Sequence, residues 1–172
     1  SVPIFIVFAL FGSLVVVGSL HLPWAMITQV TFDAITKYVL LAIPLFIFAG
    51  MVMVQSGMAK RLVTVFVDLV GHFRGGLGIA MVLAMGFFGA KCGSILAAIV
   101  AIGGVMIPMM VDRGYNRAFV AALAACAGTI DALIPPSNGA ILFSAITGEP
   151  VTRTFAAGIL PGIVFGIFLI LL

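Results

Sequence analysis

The chain has 172 residues, of which 64% are apolar and only 8% are charged, and its mean hydropathy is +1.39. Soluble domains carry roughly a quarter charged residues, so this composition excludes a soluble enzyme or binding domain. The net charge of +3 includes no basic cluster suited to nucleic acid. Continuous apolar runs, rather than alternating ones, predict an all-α integral membrane protein with several spans in the lipid bilayer.

Two spanning helices are predicted in the first third of the chain, over Val2–Ser19 and Tyr38–Ser56. Each approaches the roughly 17–25 apolar residues that a span needs. Between them, His21–Trp24 carries turn and interface residues, and Ala25–Thr36 predicts a short interfacial helix. Pro44 predicts a kink inside the second span.

The segment Met58–Phe73 is amphipathic, because its polar residues recur every three or four positions. This pattern predicts a helix that lies in the membrane interface or packs along a scaffold. We interpret its charges, and His72, as a solvated face rather than a site.

A helical hairpin is predicted next. Leu77–Ala90 is apolar for only about 14 residues, a length more typical of a re-entrant or buried helix than of a span. A small polar tip, Lys91–Ser94, separates it from a second apolar limb, Ile95–Val111. Basic residues stand at both feet, so the sequence indicates a hairpin that enters the membrane and returns to the same side.

A broken helix follows. Ala118–Ile134 is apolar and helical in pattern, but Pro135 and Pro136 remove two backbone donors and force the preceding residue out of helical geometry. Asn138–Ile146 is predicted as the second half, and Phe155–Leu172 as the last span.

Basic residues predict the orientation through the positive-inside rule. Five of them flank the amphipathic helix and the hairpin feet, which places these feet in the cytoplasm: Lys60, Arg61, Arg74, Arg113 and Arg117. Two, Lys37 and Arg153, fall on the other side.

The two interruptions predict a binding region. Unwound backbone within a bilayer survives only where protein buries it or where it lines a wet cavity. In secondary transporters, half-helix N-termini then face anions and freed carbonyls coordinate cations. The residues predicted to form this cation- or substrate-binding region are Gly93, Ser94, Thr129, Pro135, Pro136, Ser137 and Asn138. The alternative is that the two prolines are only a structural kink.

Nearly the whole chain resembles the large membrane subunit of tripartite ATP-independent periplasmic (TRAP) transporters, the DctM-like family. The matching segments, in order, are AIPLFIFAG (42–50), GMAKRL (57–62), GHFRGGLGIA (71–80), FFG (87–89), GS (93–94), AIGGVMIPMM (101–110), RGY (113–115), TI..LIPPS (129–137) and AGILPGI (157–163).

The resemblance implies an elevator-type secondary transporter in the bacterial inner membrane. In this family a periplasmic binding protein delivers an organic acid, a small membrane subunit braces the scaffold, and sodium drives uptake. Family members contain two inverted repeats, and this chain is similar to the first. It is then one membrane domain, residues 1–172, with scaffold spans and an amphipathic helix (1–73), a hairpin and broken helix (74–148) and a final span (149–172). No cofactor other than sodium is implied.

The chain departs from the family pattern at several positions. The family hairpin reads close to FFGGISGSAVADTAAIG, whereas this one reads FFGAKCGSILAAIVAIG. Lys91 replaces an apolar residue there, and Asp131 replaces a glycine before the break. Intramembrane charges are usually paired or functional. Three interpretations stay open: an ion pair between Lys91 and Asp131, an ammonium that replaces the coupling cation or holds a substrate carboxylate, and separate charges that line a wet cavity.

Three other functions are alternatives to the one that the resemblance implies. An intramembrane enzyme is disfavoured because no serine or histidine pair supports one and Asp131 lacks a second membrane aspartate. A truncated, non-transporting scaffold is another alternative. Within transporters, a binding-protein-independent elevator for dicarboxylates or citrate is the second hypothesis. The substrate itself is not encoded in any recognisable pattern.

Overall fold

The structure is a computed structural model that describes residues 3–18 and 23–171. Its helices are α1 (Ile4–Gly18), α2 (Trp24–Ile35), α3 (Ala42–Gln55), α4 (Met58–Val70), α5 (Gly76–Cys92), α6 (Ile95–Ala98), α7 (Gly104–Asp112), α8 (Arg117–Gly128), α9 (Ile130–Leu133), α10 (Asn138–Thr147) and α11 (Val151–Leu171). A 3₁₀ turn, Tyr38–Leu41, precedes α3, and a π turn, Ile99–Gly103, joins α6 to α7. The described part of the chain contains no strand, and the all-α prediction is confirmed.

The chain divides into two compact units, Ser1–Tyr38 and Val39–Leu172. In the first unit, α1 and α2 contact each other. They lie where the first span and the short interfacial helix were predicted, and both are helical. Large apolar side chains of α1 are exposed, among them Phe8 at 75%. This surface suits lipid. His21 and Leu22, predicted as a turn, and the ends of the first and last predicted spans lie outside the described residues.

Among the described residues, four helical segments are long and apolar enough to cross a membrane: Tyr38–Gln55, Ile95–Asp112, Arg117–Thr147 and Val151–Leu171. They correspond to the second and last predicted spans, the second limb of the hairpin and the broken helix, whereas α1, at the first predicted span, is a shorter apolar helix over Ile4–Gly18. Pro44 lies in the first turn of α3, directly after the 3₁₀ turn Tyr38–Leu41. The kink expected at Pro44 stays a prediction.

The hairpin has two antiparallel limbs, α5 and the continuous α6–π turn–α7 segment. Their feet meet, because Arg74 before α5 and Tyr115 after α7 line one cavity of about 280 Å³. The end of α11 reaches the same cavity through Leu171. The π turn comes just before Pro108, whose ring nitrogen cannot bond to a carbonyl one turn back.

Helix α5 is the centre of the second unit and packs against α3, α4, α8, α9 and α11. Its buried stripe follows a spacing of three to four residues through Met81, Met85, Phe88 and Cys92. The π turn on the second limb packs closely against α8. A Cβ on Gly128 of α8 would lie 2.5 Å from Cγ1 of Ile99, so glycine permits this approach. This packing positions the hairpin against the broken helix. The predicted division into scaffold and transport regions stays a prediction.

Candidate functional site

The tip of the hairpin lies against the break in the second helix. Gly93 adopts a left-handed conformation with φ of 59°, which glycine tolerates because it has no Cβ. A Cβ built on Gly93 would lie 3.0 Å from the carbonyl oxygen of Pro136 and 3.2 Å from Oδ1 of Asn138. Two segments distant in sequence therefore meet here, and we call Gly93, Pro136 and Asn138 the junction.

The break has the form that the two prolines predict. Ile134 is extended, with φ of −82° and ψ of 125°, and Ser137 is extended as well, so the helical ladder stops between α9 and α10. Ser137 is buried, and its Oγ caps α10 by accepting a hydrogen bond from the Ala140 amide at 3.5 Å. The N-terminus of α10, which carries a partial positive charge, consequently begins at the hairpin tip.

One unsatisfied side-chain oxygen lies at the junction. Oδ1 of Asn138 is buried and has no hydrogen-bond partner among the described residues. Buried polar atoms nearly always have a hydrogen-bond partner, so a buried oxygen without one is a candidate ligand for a cation or a water molecule. The Pro136 carbonyl borders the same place. Neutral carbonyl and amide oxygens of this type suit a hard cation such as sodium.

The remaining predicted site residues fall at two other places. Ser94 is half-buried and lines a cavity of about 230 Å³ beside the hairpin tip, together with Gly50 of α3 and Cys92. Thr129 is exposed, and its hydroxyl donates to the Cys126 carbonyl at 2.7 Å, within its own helix. The structure therefore brings Pro136 and Asn138 against Gly93 at the hairpin tip, where Ser94 follows. Pro135 and Ser137 flank Pro136 in the break, and the Thr129 hydroxyl is engaged elsewhere.

Asp131 is buried in the short helix α9, with 1% of its surface exposed. It packs directly on α5: a Cβ built on Gly89 would lie 2.6 Å from Cβ and 2.8 Å from Oδ1 of Asp131. Neither carboxyl oxygen has a hydrogen-bond partner within residues 3–18 and 23–171. A buried carboxyl group with both oxygens unpartnered is rare and demands an explanation.

The structure does not form the expected ion pair between Lys91 and Asp131. Lys91 is exposed, and its Nζ lies 5.8 Å from the ring centroid of Phe87, one turn back along α5. Successive residues of a helix are 100° apart, so Lys91 points about 200° away from Gly89, the residue that touches Asp131. Lys91 therefore projects from one side of α5 while Asp131 of α9 packs against the other side. The ammonium group does not satisfy the buried carboxyl group.

Sequence reasoning missed Gly89, which makes the close contact with Asp131, and gave Cys92 no part in the site. Cys92 is fully buried on the same face of α5 and touches Gly50, where a Cβ would lie 3.1 Å from its own. The sequence carries no signal for this contact, because Leu77–Ala90 is apolar all round, and only the packing of α5 shows that residues 88, 89 and 92 face inward.

Comparison with known sequences gives a consistent family assignment. A sequence profile described as "Tripartite ATP-independent periplasmic transporter, DctM component" matches residues 1–172. The C4-dicarboxylate TRAP transporter large permease protein DctM of Vibrio cholerae is 44% identical over 148 residues, which cover 86% of this chain and 33% of that protein.

Two further relatives are named for other substrates. The ectoine/5-hydroxyectoine TRAP transporter large permease protein UehC of Ruegeria pomeroyi is 40% identical over 155 residues, or 90% of this chain and 36% of its own length. The isethionate TRAP transporter permease protein DctMQ of Oleidesulfovibrio alaskensis is 36% identical over 169 residues, or 98% and 27%. The chain thus spans about a third of the length of these relatives.

Proposed function

Because the chain belongs to the DctM component family of tripartite ATP-independent periplasmic transporters, we propose that it forms one repeat of a large permease subunit for the uptake of organic acids. In this proposal a periplasmic binding protein delivers the substrate and a small membrane subunit assembles with the permease in the bacterial inner membrane. The protein then moves solutes rather than transforming them. The relatives named for C4-dicarboxylates and for isethionate support an anionic substrate.

The single observation that carries the proposal is the junction. A hairpin tip, an unwound backbone and the positive end of α10 meet in the interior of the second unit. This combination supports binding of an ion or an anionic group, because both the amide end of a half-helix and the unpaired Oδ1 of Asn138 are available. A kink with only a structural role would not require Asn138 Oδ1 to remain unpartnered.

Sodium is the proposed coupling ion. Asn138 Oδ1 and the Pro136 carbonyl are the groups that would hold it, since both are neutral oxygens beside the hairpin tip. Lys91 does not stand in its place, because its side chain lies over Phe87 on another face of α5. When bound, the ion would connect the hairpin with the broken helix and hold the two in contact, and the sodium gradient would drive this step.

The proposal is tested by transport in proteoliposomes. The full-length permease that carries this chain is reconstituted with its small membrane subunit, and uptake of radiolabelled succinate, isethionate and ectoine is measured with the binding protein outside. We expect uptake of at least one organic acid that requires both the binding protein and an inward sodium gradient. Asn138→Ala is expected to weaken the sodium dependence, whereas Thr129→Ala, away from the junction, should leave it unchanged. Uptake without binding protein and without sodium would contradict the proposal.

A further inference from the structure

The buried carboxyl group of Asp131 has no role in the cation site described above. Its two oxygens are unpartnered within the described residues, and the side chain is 1% exposed. An ionised carboxylate in such surroundings, with no cation and no donor, is strongly disfavoured. A carboxylic acid is neutral and does not carry this penalty. The packed arrangement is therefore compatible with the acid form of the side chain.

The charges and titratable groups around Asp131 do not compensate it. Helix α9 packs against α5, α6, α8, α10 and α11. Of these, α6 and α10 contain no titratable residue. On α5, Lys91 lies over Phe87 and Cys92 is the buried group that faces Asp131. A thiol beside the carboxyl group adds no positive charge.

The other two helices supply no compensating cation either. On α8, Arg117 stands at the first residue, more than three turns before α9, and Cys126 is exposed. On α11, Arg153 is held by Glu149 at 3.8 Å, at the far end of α10. The basic residues of the neighbouring helices are thus directed elsewhere.

A metal ion fits this position less well than a proton. Among the described residues, no group of three or more acidic, histidine or cysteine side chains comes together. The backbone of α5 at Gly89 closes one side of the carboxyl group, leaving 2.8 Å between Oδ1 and the site that a Cβ would occupy. A hard cation needs several oxygen ligands around it, whereas a proton needs only one oxygen.

We propose that Asp131 is a proton-binding site, occupied when the hairpin packs against the broken helix and emptied when the two separate. In each cycle the carboxylate takes one proton from water on the side to which the region opens, becomes neutral, and returns the proton to water after reopening. The charge of the group changes from −1 to 0 and back. The coupling role rests on the proposed function, but the binding of the proton does not.

Infrared spectroscopy of the full-length permease in detergent tests the binding. We expect the carbonyl band of a protonated carboxylic acid at neutral pH, lost in Asp131→Asn and retained in Asp68→Asn, which changes an exposed acid on α4. Incorporation of ¹³C-labelled aspartate should shift the band in the unsubstituted protein, which keeps the test valid if Asp131→Asn fails to fold. A spectrum without an aspartic acid band, or one unchanged by Asp131→Asn, would overturn the proposal.

A transport measurement tests the coupling. In proteoliposomes with a fixed sodium gradient and clamped potential, we expect uptake to increase with an inward proton gradient, and Asp131→Asn to lose that response. An identical response of the variant would overturn the coupling role. If the unsubstituted permease shows no uptake at all, the proposed function fails, while the infrared result still decides whether Asp131 holds a proton.

Discussion

Replacing Gly89 with alanine is expected to lower the unfolding free energy of the permease by up to about 3 kcal/mol, because the new methyl group overlaps Asp131. The added Cβ would lie 2.6 Å from Cβ and 2.8 Å from Cγ of Asp131. The first of these atoms is fixed to the backbone of α9 and cannot swing aside. Alanine gains about 1 kcal/mol of helix propensity over glycine, so the overlap outweighs the gain.

The measurement is the thermal midpoint of the purified protein in detergent. Gly104→Ala is the matched control, because Gly104 lies in the other limb of the hairpin and a Cβ there meets nothing within 4 Å. The control should keep or slightly raise the midpoint. Asp131→Gly removes all three overlapped atoms. Adding Gly89→Ala to the Asp131→Gly variant should therefore lower the midpoint little further. A Gly89→Ala variant as stable as Gly104→Ala would refute the contact.

Gly93→Ala is expected to be the second large effect, since it strains the hairpin tip and presses on the broken helix. Alanine in the left-handed region costs on the order of 1 kcal/mol. The methyl group would also lie 3.0 Å from the Pro136 carbonyl oxygen, which is backbone and cannot rotate away. The contact should add roughly 1–3 kcal/mol.

Gly57→Ala separates these two causes. Gly57 has φ of 73°, close to the value at Gly93, but a Cβ there meets nothing within 4 Å. Both variants should lose stability from strain, and only Gly93→Ala should lose more and also lose uptake. Equal midpoints and equal uptake for the two variants would mean that the hairpin tip and the break do not touch.

The break at Pro135 and Pro136 could be predicted because proline acts through its own covalent geometry, in any surroundings. The hairpin could be predicted for a related reason. An apolar run of about 14 residues is short for a bilayer span, and a polar tip follows it. Both features are local. They needed no knowledge of which helix lies beside which.

The interruption at Thr129 and the π turn at Ile99–Gly103 could not be predicted in the same way. Both lie where α8 approaches the hairpin, at Gly128 against Ile99, and this closeness is a property of packing. The surroundings of Asp131 depend equally on tertiary structure. Asp131 contacts Gly89, two positions before Lys91. Only the rotation of α5 about its axis determines whether Gly89 or Lys91 faces α9.

One of the three interpretations of Lys91 and Asp131, the ion pair, rested on the expectation that the hairpin tip meets the broken helix. Residues near the tip are close along the membrane normal, but a helix distributes them around its axis. The structure corrects this, because it places Gly89 and Cys92 of α5 on the packed face. Leu77–Ala90 is apolar all round, so the sequence could not show which face of α5 meets Asp131.

The central claim is that the junction of Gly93, Pro136 and Asn138 holds the coupling ion, and sodium-dependent stability tests it most directly. The thermal midpoint of the full-length permease in detergent is followed in sodium chloride and in choline chloride at constant ionic strength. A ligand that binds only the folded state at about a hundred times its Kd stabilises it by about 2.7 kcal/mol. We predict a rise specific to sodium that Asn138→Ala removes and Thr129→Ala keeps. Equal midpoints in the two salts, or a sodium effect that survives Asn138→Ala, would contradict the account.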